Sequence, residues 1–399
     1  MLQNLSPKYS HKQHQLNPKK RKIYSITFVI ITKDRPEIMK HLIRSILKTQ
    51  LASCSIILID DSNNDNFIKT RRFLQSYSIP FKQLNSSQAG RLAEKSLERT
   101  NLTPDEKIFI RECTGLRSPF CNYIEQLLEP SRPELDLNNC LQFAPYSPAR
   151  NLGIYIATRF FNPNIIIFLD DDCLILHPEK IYDQLLLFEA KINQKRIIAI
   201  SGIYKNLSLR FSSERTRAQS LKKIQSILRG MDTFIRESFL TGEARFRIMP
   251  PHMLGGALIL HKKSFSLIPF DPYIARGEDH SYALDLKRFF GEDEIAVRDE
   301  RFIIGHQKEH SKSSSVQRFT ELNVLRDIFR FVYIRVKTGI SFITLFMVRW
   351  TLTSLCNLFL NPSNYKQYKI ELLALLFVAP KYAKENGSKF RRGIKAWNR

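Results

Sequence analysis

The chain has 399 residues, with 62 Lys and Arg against 38 Asp and Glu, and a formal net charge of +24 at pH 7. Its 43% hydrophobic and 25% charged residues match a folded protein of one large domain or two ordinary ones, and exclude disorder, collagen and coiled coil for the chain as a whole. Cys54, Cys113, Cys121, Cys140, Cys173 and Cys356 form no CxxC pair, so a zinc ribbon or thioredoxin-like motif is not expected, and the thiols read as reduced in a cytosolic protein.

Residues 1–22 are polar and basic, read as an unstructured leader with no apolar segment of a secretory signal. IYSITFVIIT (23–32) is a near-continuous β-branched and aromatic run, as in a strand buried on both faces. KDRP then breaks the run, and EIMKHLIRSILKT (37–49) has helical apolar spacing with Pro36 suited to its first turn. SIILIDD (55–61) is a second buried strand, NIIIFLDDD (164–172) a third and RIIAISGIY (196–204) a fourth. The β–loop–α–β order predicts a parallel sheet with right-handed crossovers. Residues 82–148, rich in Pro and holding three cysteines, read as an insertion with short helices such as 121–129. The cysteines in it are too widely spaced for a metal site. Neither GxGxxG nor GxxxxGK[ST] occurs, so a dinucleotide fingerprint and a Walker loop are both excluded.

In open α/β sheets ligands bind beyond the carboxyl ends of strands. Thr32–Asp34, Asp60–Asp61 and Asp170–Asp172 all follow such ends and are expected to converge on one crevice. Three consecutive carboxylates in LDDDC (169–173) are costly to bury without a cation; at a solvated end they could equally form a turn or cap. Hard oxygen ligands suit Mg²⁺ or Mn²⁺. In RGEDHSYALDLKRFFG (276–291), Gly277 marks a turn and Glu278 and Asp279 open a helix. The helix dipole alone would explain carboxylates there, and one of them could also serve as a general base. Gly255 and Gly256 allow close approach of a ligand to the backbone. His306, after an apolar strand and Gly305, is a candidate third metal ligand, ahead of His280 and His310.

Taken in order, SITFVIITKDRPEIMKHLIRSILKT, SIILIDDSNND, SPARNLGIYIA, IIIFLDDDCLI, GGALILHKKSFSLIPFDPYIARGEDHSYALDLKRFFG and a late His resemble a family 2-type glycosyltransferase of the GT-A fold. The resemblance spans roughly residues 23–310 outside the 82–148 segment. It implies a Rossmann-like, mixed and mostly parallel sheet flanked by helices, and a nucleotide-sugar donor. Thr32 and Asp61 match contacts to base and ribose, and Arg150 a residue near base and pyrophosphate. Asp34, Asn151, Asp171, Gly255 and Gly256 complete the implied donor site. Asp170 and Asp172 match the DXD pair, which with His306 would hold Mn²⁺ or Mg²⁺. Asp279 matches the catalytic base of inverting members, with Glu278 beside it. Asp34 departs from the family, where Asn is common, and the 82–148 segment leaves the acceptor undefined beyond a glycan or lipid-linked hydroxyl.

The charge is concentrated at the ends. Residues 1–22, 312–380 and 381–399 each carry +6, leaving +6 over the 289 residues between. Residues 324–348 are aromatic, basic and amphipathic, yet their longest uncharged run is 11 residues, short of the ~20 that span a bilayer. They are read as helices lying on an anionic membrane, with 381–399 a basic tail; the alternative is a helix packed on the protein's own core. The expected location is cytoplasmic, peripheral on the inner face of the cytoplasmic membrane. Nucleic acid is not expected as a partner, because the basic excess avoids the acidic crevice. A basic nucleic-acid-binding protein, a nucleotidyltransferase and an inactive relative acting as a binding module are the competing readings.

Overall fold

The computed structural model describes residues 24–115, 146–206, 246–248, 253–275, 277–306, 321–339 and 371–399, with residues 119, 120, 123, 124, 348, 351, 352, 355 and 369 between them. The predicted helix at 121–129, all but two of its residues, lies outside this set, as do the predicted leader at 1–22 and His310.

The predicted alternation is present. β1 (Ile26–Thr32), α1 (Pro36–Leu47), β2 (Cys54–Asp60) and α2 (Asn64–Gln75) lead to β3 (Phe81–Leu84), α3 (Ser86–Glu98) and α4 (Pro104–Thr114). α5 (Tyr146–Phe161) precedes β4 (Ile165–Asp170) and β5 (Cys173–Ile175). Next come α6 (Ile181–Leu186), β6 (Lys191–Ile192), β7 (Lys195–Asn206), β8 (Phe246–Ile248), β9 (Ala257–His261), α7 (Lys262–Leu267), α8 (Glu278–Phe290) and β10 (Glu294–His306). α9 (Glu321–Thr338) and α10 (Ala379–Trp397) close the chain.

One sheet holds the strands in the order β3-β2-β1-β4-β9-β7-β10-β5, with β6 beside β7 and β8 beside β10. β1, β2, β3, β4, β7 and β10 run one way, and β5, β6, β8 and β9 the other. This is the mixed α/β architecture expected from the sequence. The strands are apolar on both sides because both sheet faces are covered, and each face has its own core. Val29, Ile57 and Phe168 point to one, Phe28, Ile30 and Ile167 to the other.

Part of the segment read as an insertion, residues 82–114, packs as regular framework. Phe81–Leu84 pairs parallel with β2 and extends the sheet, and α3 and α4 pack against α5. Both helices open with capping boxes, Asn85 with Gln88 and Thr103 with Glu106, which is a readable sequence signal. Helices α9 and α10 are not free ends. Leu325, Ile328, Phe329, Val332 and Tyr333 of α9 lie in the core with Tyr382, Phe390 and Ile394 of α10. The Trp397 indole N–H donates to Phe265 O at 3.0 Å. The apolar stripe of 324–338 therefore faces protein, not lipid.

α9 is also pinned by charge. Lys337 is buried, with Nζ 2.5 Å from Asp271, 2.6 Å from Asp285 and 2.9 Å from Ser281 Oγ. The Tyr333 hydroxyl donates to Asp271 at 2.8 Å. Burial works against the charge on Lys337, but Asp271 and Asp285 together hold its pKa above the usual value. Burial pushes the Asp285 carboxyl up to about 6 against the pull of Lys337. Removing one partner from such a cluster strands the others in low dielectric. Lys337→Ala should therefore lower the unfolding free energy by about 3–5 kcal/mol in urea titrations.

Candidate active site

Parallel register sets the first part of the site. Thr32 lies opposite Asp60, and Ile31 opposite Asp170. The polar ends of β1, β2 and β4 therefore share one edge of the sheet.

The three aspartates after β4 have different surroundings. Asp171 turns inward, accepting from Thr32 Oγ1 at 2.9 Å and from the Arg35 guanidinium at 3.0 Å. Burial pushes its carboxyl up, against the pull of Arg35 and Thr32. Asp170 accepts from Arg150 at 3.3 Å and from the Tyr204 hydroxyl at 3.2 Å, and its side chain remains 38% exposed. Asp172 is 3.7 Å from Arg35. Antiparallel pairing of β5 with β10 sets His306 opposite Cys173, the residue after Asp172.

Two acids and a histidine thus come from adjacent strand ends. Carboxylates are hard oxygen donors of the kind that suits Mn²⁺ or Mg²⁺. The imidazole of His306 lies outside the described side chains; among those described, no three His, Cys, Asp or Glu form a closed metal group.

Arg150 is the hub. Only 3% exposed, it reaches Asp170, donates to Gly255 O at 2.7 Å and to Glu278 at 3.2 Å. Its guanidinium lies 5.6 and 5.8 Å from the ring centres of Phe168 and Phe270. Burial opposes its charge, but the carboxylates of Asp170 and Glu278 raise its pKa further. Its described partners are the chain's own, and it braces the three segments that they come from.

Asn151 is fully buried in the fold. Its amide donates to Cys113 O and Phe270 O and accepts from Phe270 N–H, so it fastens core loops together. Gly255 and Gly256 stand close to the site's own side chains. A Cβ on Gly255 would stand 2.4 Å from Arg150, and one on Gly256 would stand 2.2 Å from Asp170 Oδ2 and 2.4 Å from the Tyr204 hydroxyl. These glycines make room for the site's own side chains.

α8 brings the second pair of acids. It starts at Gly277, whose φ of 76° suits glycine. Glu278 is buried on Arg150. Half-buried Asp279 accepts from the N–H groups of Gly255 at 3.0 Å and His280 at 2.8 Å. Burial raises both carboxyls; Asp279 raises Glu278 further, and Arg150 opposes the rise in each.

Asp34 and Asp61 sit at the exposed rim. Asp34 has φ 55°, a left-handed conformation open to Asn and Asp, which accounts for an acid where Asn is common. Its carboxylate accepts from Asn63 N–H and Asn66 Nδ2, tying the loop to the start of α2. Asp61 accepts from the backbone and hydroxyl of Ser86 at the start of α3.

Arg35 and Tyr204 were missed by sequence reasoning. Arg35 stands in KDRP, beside residues that were singled out, and its charge opposite DDD was a usable signal. Tyr204 lies within β7, two residues before its end, with nothing local to mark it.

No family model and no curated protein matches the chain. Among solved structures it is similar to a mannosyltransferase from Pyrobaculum calidifontis in complex with GDP-Man and Mn²⁺, at 8% identity and TM-score 0.42, over 92% of this chain and 74% of that one. It is similar to mannosyl-3-phosphoglycerate synthase from Rubrobacter xylanophilus at 12% identity and TM-score 0.40, over 77% and 74%. It is also similar to S. aureus TarS at 10% identity and TM-score 0.41, over 90% of this chain and 55% of that one. At this level of similarity, the site's chemistry rests on the chain's own geometry.

Gly256→Ala should force Asp170 and Tyr204 apart. The expected cost is about 1–3 kcal/mol in thermal or urea unfolding, with secondary structure intact by circular dichroism.

Proposed function

We propose that the chain is a metal-dependent, inverting glycosyltransferase of the GT-A type, similar to family 2. It would move a sugar from a nucleotide-sugar donor to a hydroxyl of a glycan or lipid-linked acceptor. The setting would be cell-surface polysaccharide or lipopolysaccharide-type synthesis on the inner face of the cytoplasmic membrane. The observation that carries the reading is the link between Asp170 and the Asp279 end of α8 through Arg150 and Gly255. It joins a metal-type acidic strand end to a base-type carboxylate in one crevice.

The roles follow from charge and exposure. Asp170, Asp172 and His306 would hold Mn²⁺ or Mg²⁺, which as a Lewis acid neutralises charge growing on a departing nucleoside diphosphate. Asp34 and Asp61 line the rim where the nucleoside would rest, with Thr32 buried on Asp171 beside them. Asp279 would take the acceptor's hydroxyl proton as that oxygen attacks the anomeric carbon from the face opposite the leaving group. The backbone N–H groups of Gly255 and His280 orient its carboxylate. Glu278 is occupied by Arg150 and serves as a brace.

The test is a panel of nucleotide sugars with Mn²⁺ or Mg²⁺ and purified protein, scored for nucleoside diphosphate. Release of pyrophosphate instead would support the nucleotidyltransferase reading. Asp172→Asn should abolish the metal-dependent turnover, and full activity in chelator would refute the metal role. Asp279→Asn should keep donor binding by calorimetry while transfer falls about 10²–10⁴-fold. A base works only when deprotonated, and the Asp279 carboxyl is raised above its ordinary range. Activity should therefore be present at neutral pH and fall on acidification at a pH above the ordinary aspartate range. An acid limb at or below that range would contradict the assignment.

A further inference from the structure

With the apolar face of α9 committed to the core, a different surface remains at the C-terminal end. Leu373, Leu376 and Phe377 stand just before α10 with 46%, 42% and 67% exposure, Phe377 being the most exposed large apolar side chain among those described. They fall in and beside a π-helical turn, Ala374–Val378, whose Ala374 and Leu375 face inward. α10 then buries Tyr382, Ala383, Phe390 and Ile394 against the protein. It turns Lys381, Lys384, Arg391, Arg392 and Lys395 outward. Glu385 is the sole acid of that helix's sequence.

Steps of three and four residues carry Leu373 and Phe377 on to Lys381, Lys384, Ser388, Arg391 and Lys395, one outward stripe with an apolar head and a cationic body. Lys381, Lys384, Lys389 and Arg392 line a shallow hollow there. Val348, Leu352 and Leu355, four and three residues apart, are also exposed helical positions. No described helix is long and apolar enough to cross a membrane.

We infer that this face seats the protein on an anionic lipid bilayer. Phe377 with Leu373 and Leu376 enters the level of the headgroups, and the stripe of α10 meets lipid phosphates. The apolar head decides among polyanions: a nucleic acid or acidic polypeptide would satisfy the cations but give three large, clustered hydrocarbon side chains no reason to be exposed. The inference gives a location to the membrane placement proposed above. It does not depend on the transfer chemistry, which is read separately.

The experiment is sedimentation of the full chain with phosphatidylcholine vesicles, with and without phosphatidylglycerol, at low and high salt. The parent should bind the anionic vesicles and lose binding as salt rises. Leu376→Ser/Phe377→Ser should weaken binding about tenfold or more. Lys381→Glu/Lys384→Glu should also weaken it about tenfold or more, since each cation near such a surface contributes about fivefold. Both variants should keep the parent's melting temperature and its diphosphate release from donor. No binding to anionic vesicles, or equal binding to neutral ones, overturns the inference. So does an apolar variant that binds as the parent does, which would reduce the contact to general attraction for polyanions. If vesicle binding holds while donor turnover is absent, the enzymatic reading fails and the membrane face stands.

Discussion

A buried guanidinium organises this molecule. Removing a charge as large as Arg150 from water costs several kcal/mol unless partners are built in. The chain supplies Asp170 from the end of β4, Gly255 O from the turn before β9 and Glu278 from the start of α8. Phe168 and Phe270 lie close to the guanidinium, so it is desolvated where it makes its polar contacts. Three segments far apart in sequence are thereby fixed to one point. The acidic strand end and the helix bearing Asp279 cannot shift independently, as positioned chemistry requires.

The same helix is held at a second place by a second buried cation. Arg150 takes Glu278 at the start of α8, and Lys337 takes Ser281 and Asp285 further along it. Lys337 belongs to α9, so a segment readable as a membrane helix instead supports the active site from behind. Asp271 joins this arrangement by accepting from both Lys337 and Tyr333. The two carboxylates that open α8 also part company. One is consumed by Arg150; the other is held by backbone N–H groups and remains half-exposed.

Much of this was legible because burial on both sheet faces writes a strand as an unbroken apolar run. ITFVIIT, CSIILID and IIIFLD could hardly be anything else, and strand direction alone gathered Thr32, Asp60 and Asp170 at one edge. Phe81–Leu84 escaped because it is short and only half-buried, as suits an edge strand. The glycines at 255 and 256 were seen but assigned to a ligand; only three-dimensional placement reveals that Arg150, Asp170 and Tyr204 occupy that space. The amphipathic pattern of 324–338 is the instructive failure. An apolar stripe with basic flanks is the same sequence whether it meets lipid or a protein core. What separates the two is Lys337, whose carboxylate partners, Asp271 and Asp285, lie more than fifty residues away in sequence.

The distribution of charge then acquires a physical sense. A chain of +24 with its excess in residues 1–22 and 312–399 attracts polyanions mainly to those segments, within about a Debye length of 8–10 Å at physiological salt. A polyanion drawn in by that field meets a crevice of Asp170, Asp171, Asp172, Glu278 and Asp279, in which Arg35 and Arg150 are ion-pair partners. Carboxylates gathered this closely oppose the entry of phosphate unless cations or protons offset their charge. Burial already pushes Asp171, Glu278 and Asp279 toward holding protons. Under the proposed function a divalent ion at Asp170 and Asp172 would add counter-charge, and Asp172 immediately precedes Cys173, which pairs with the backbone of His306.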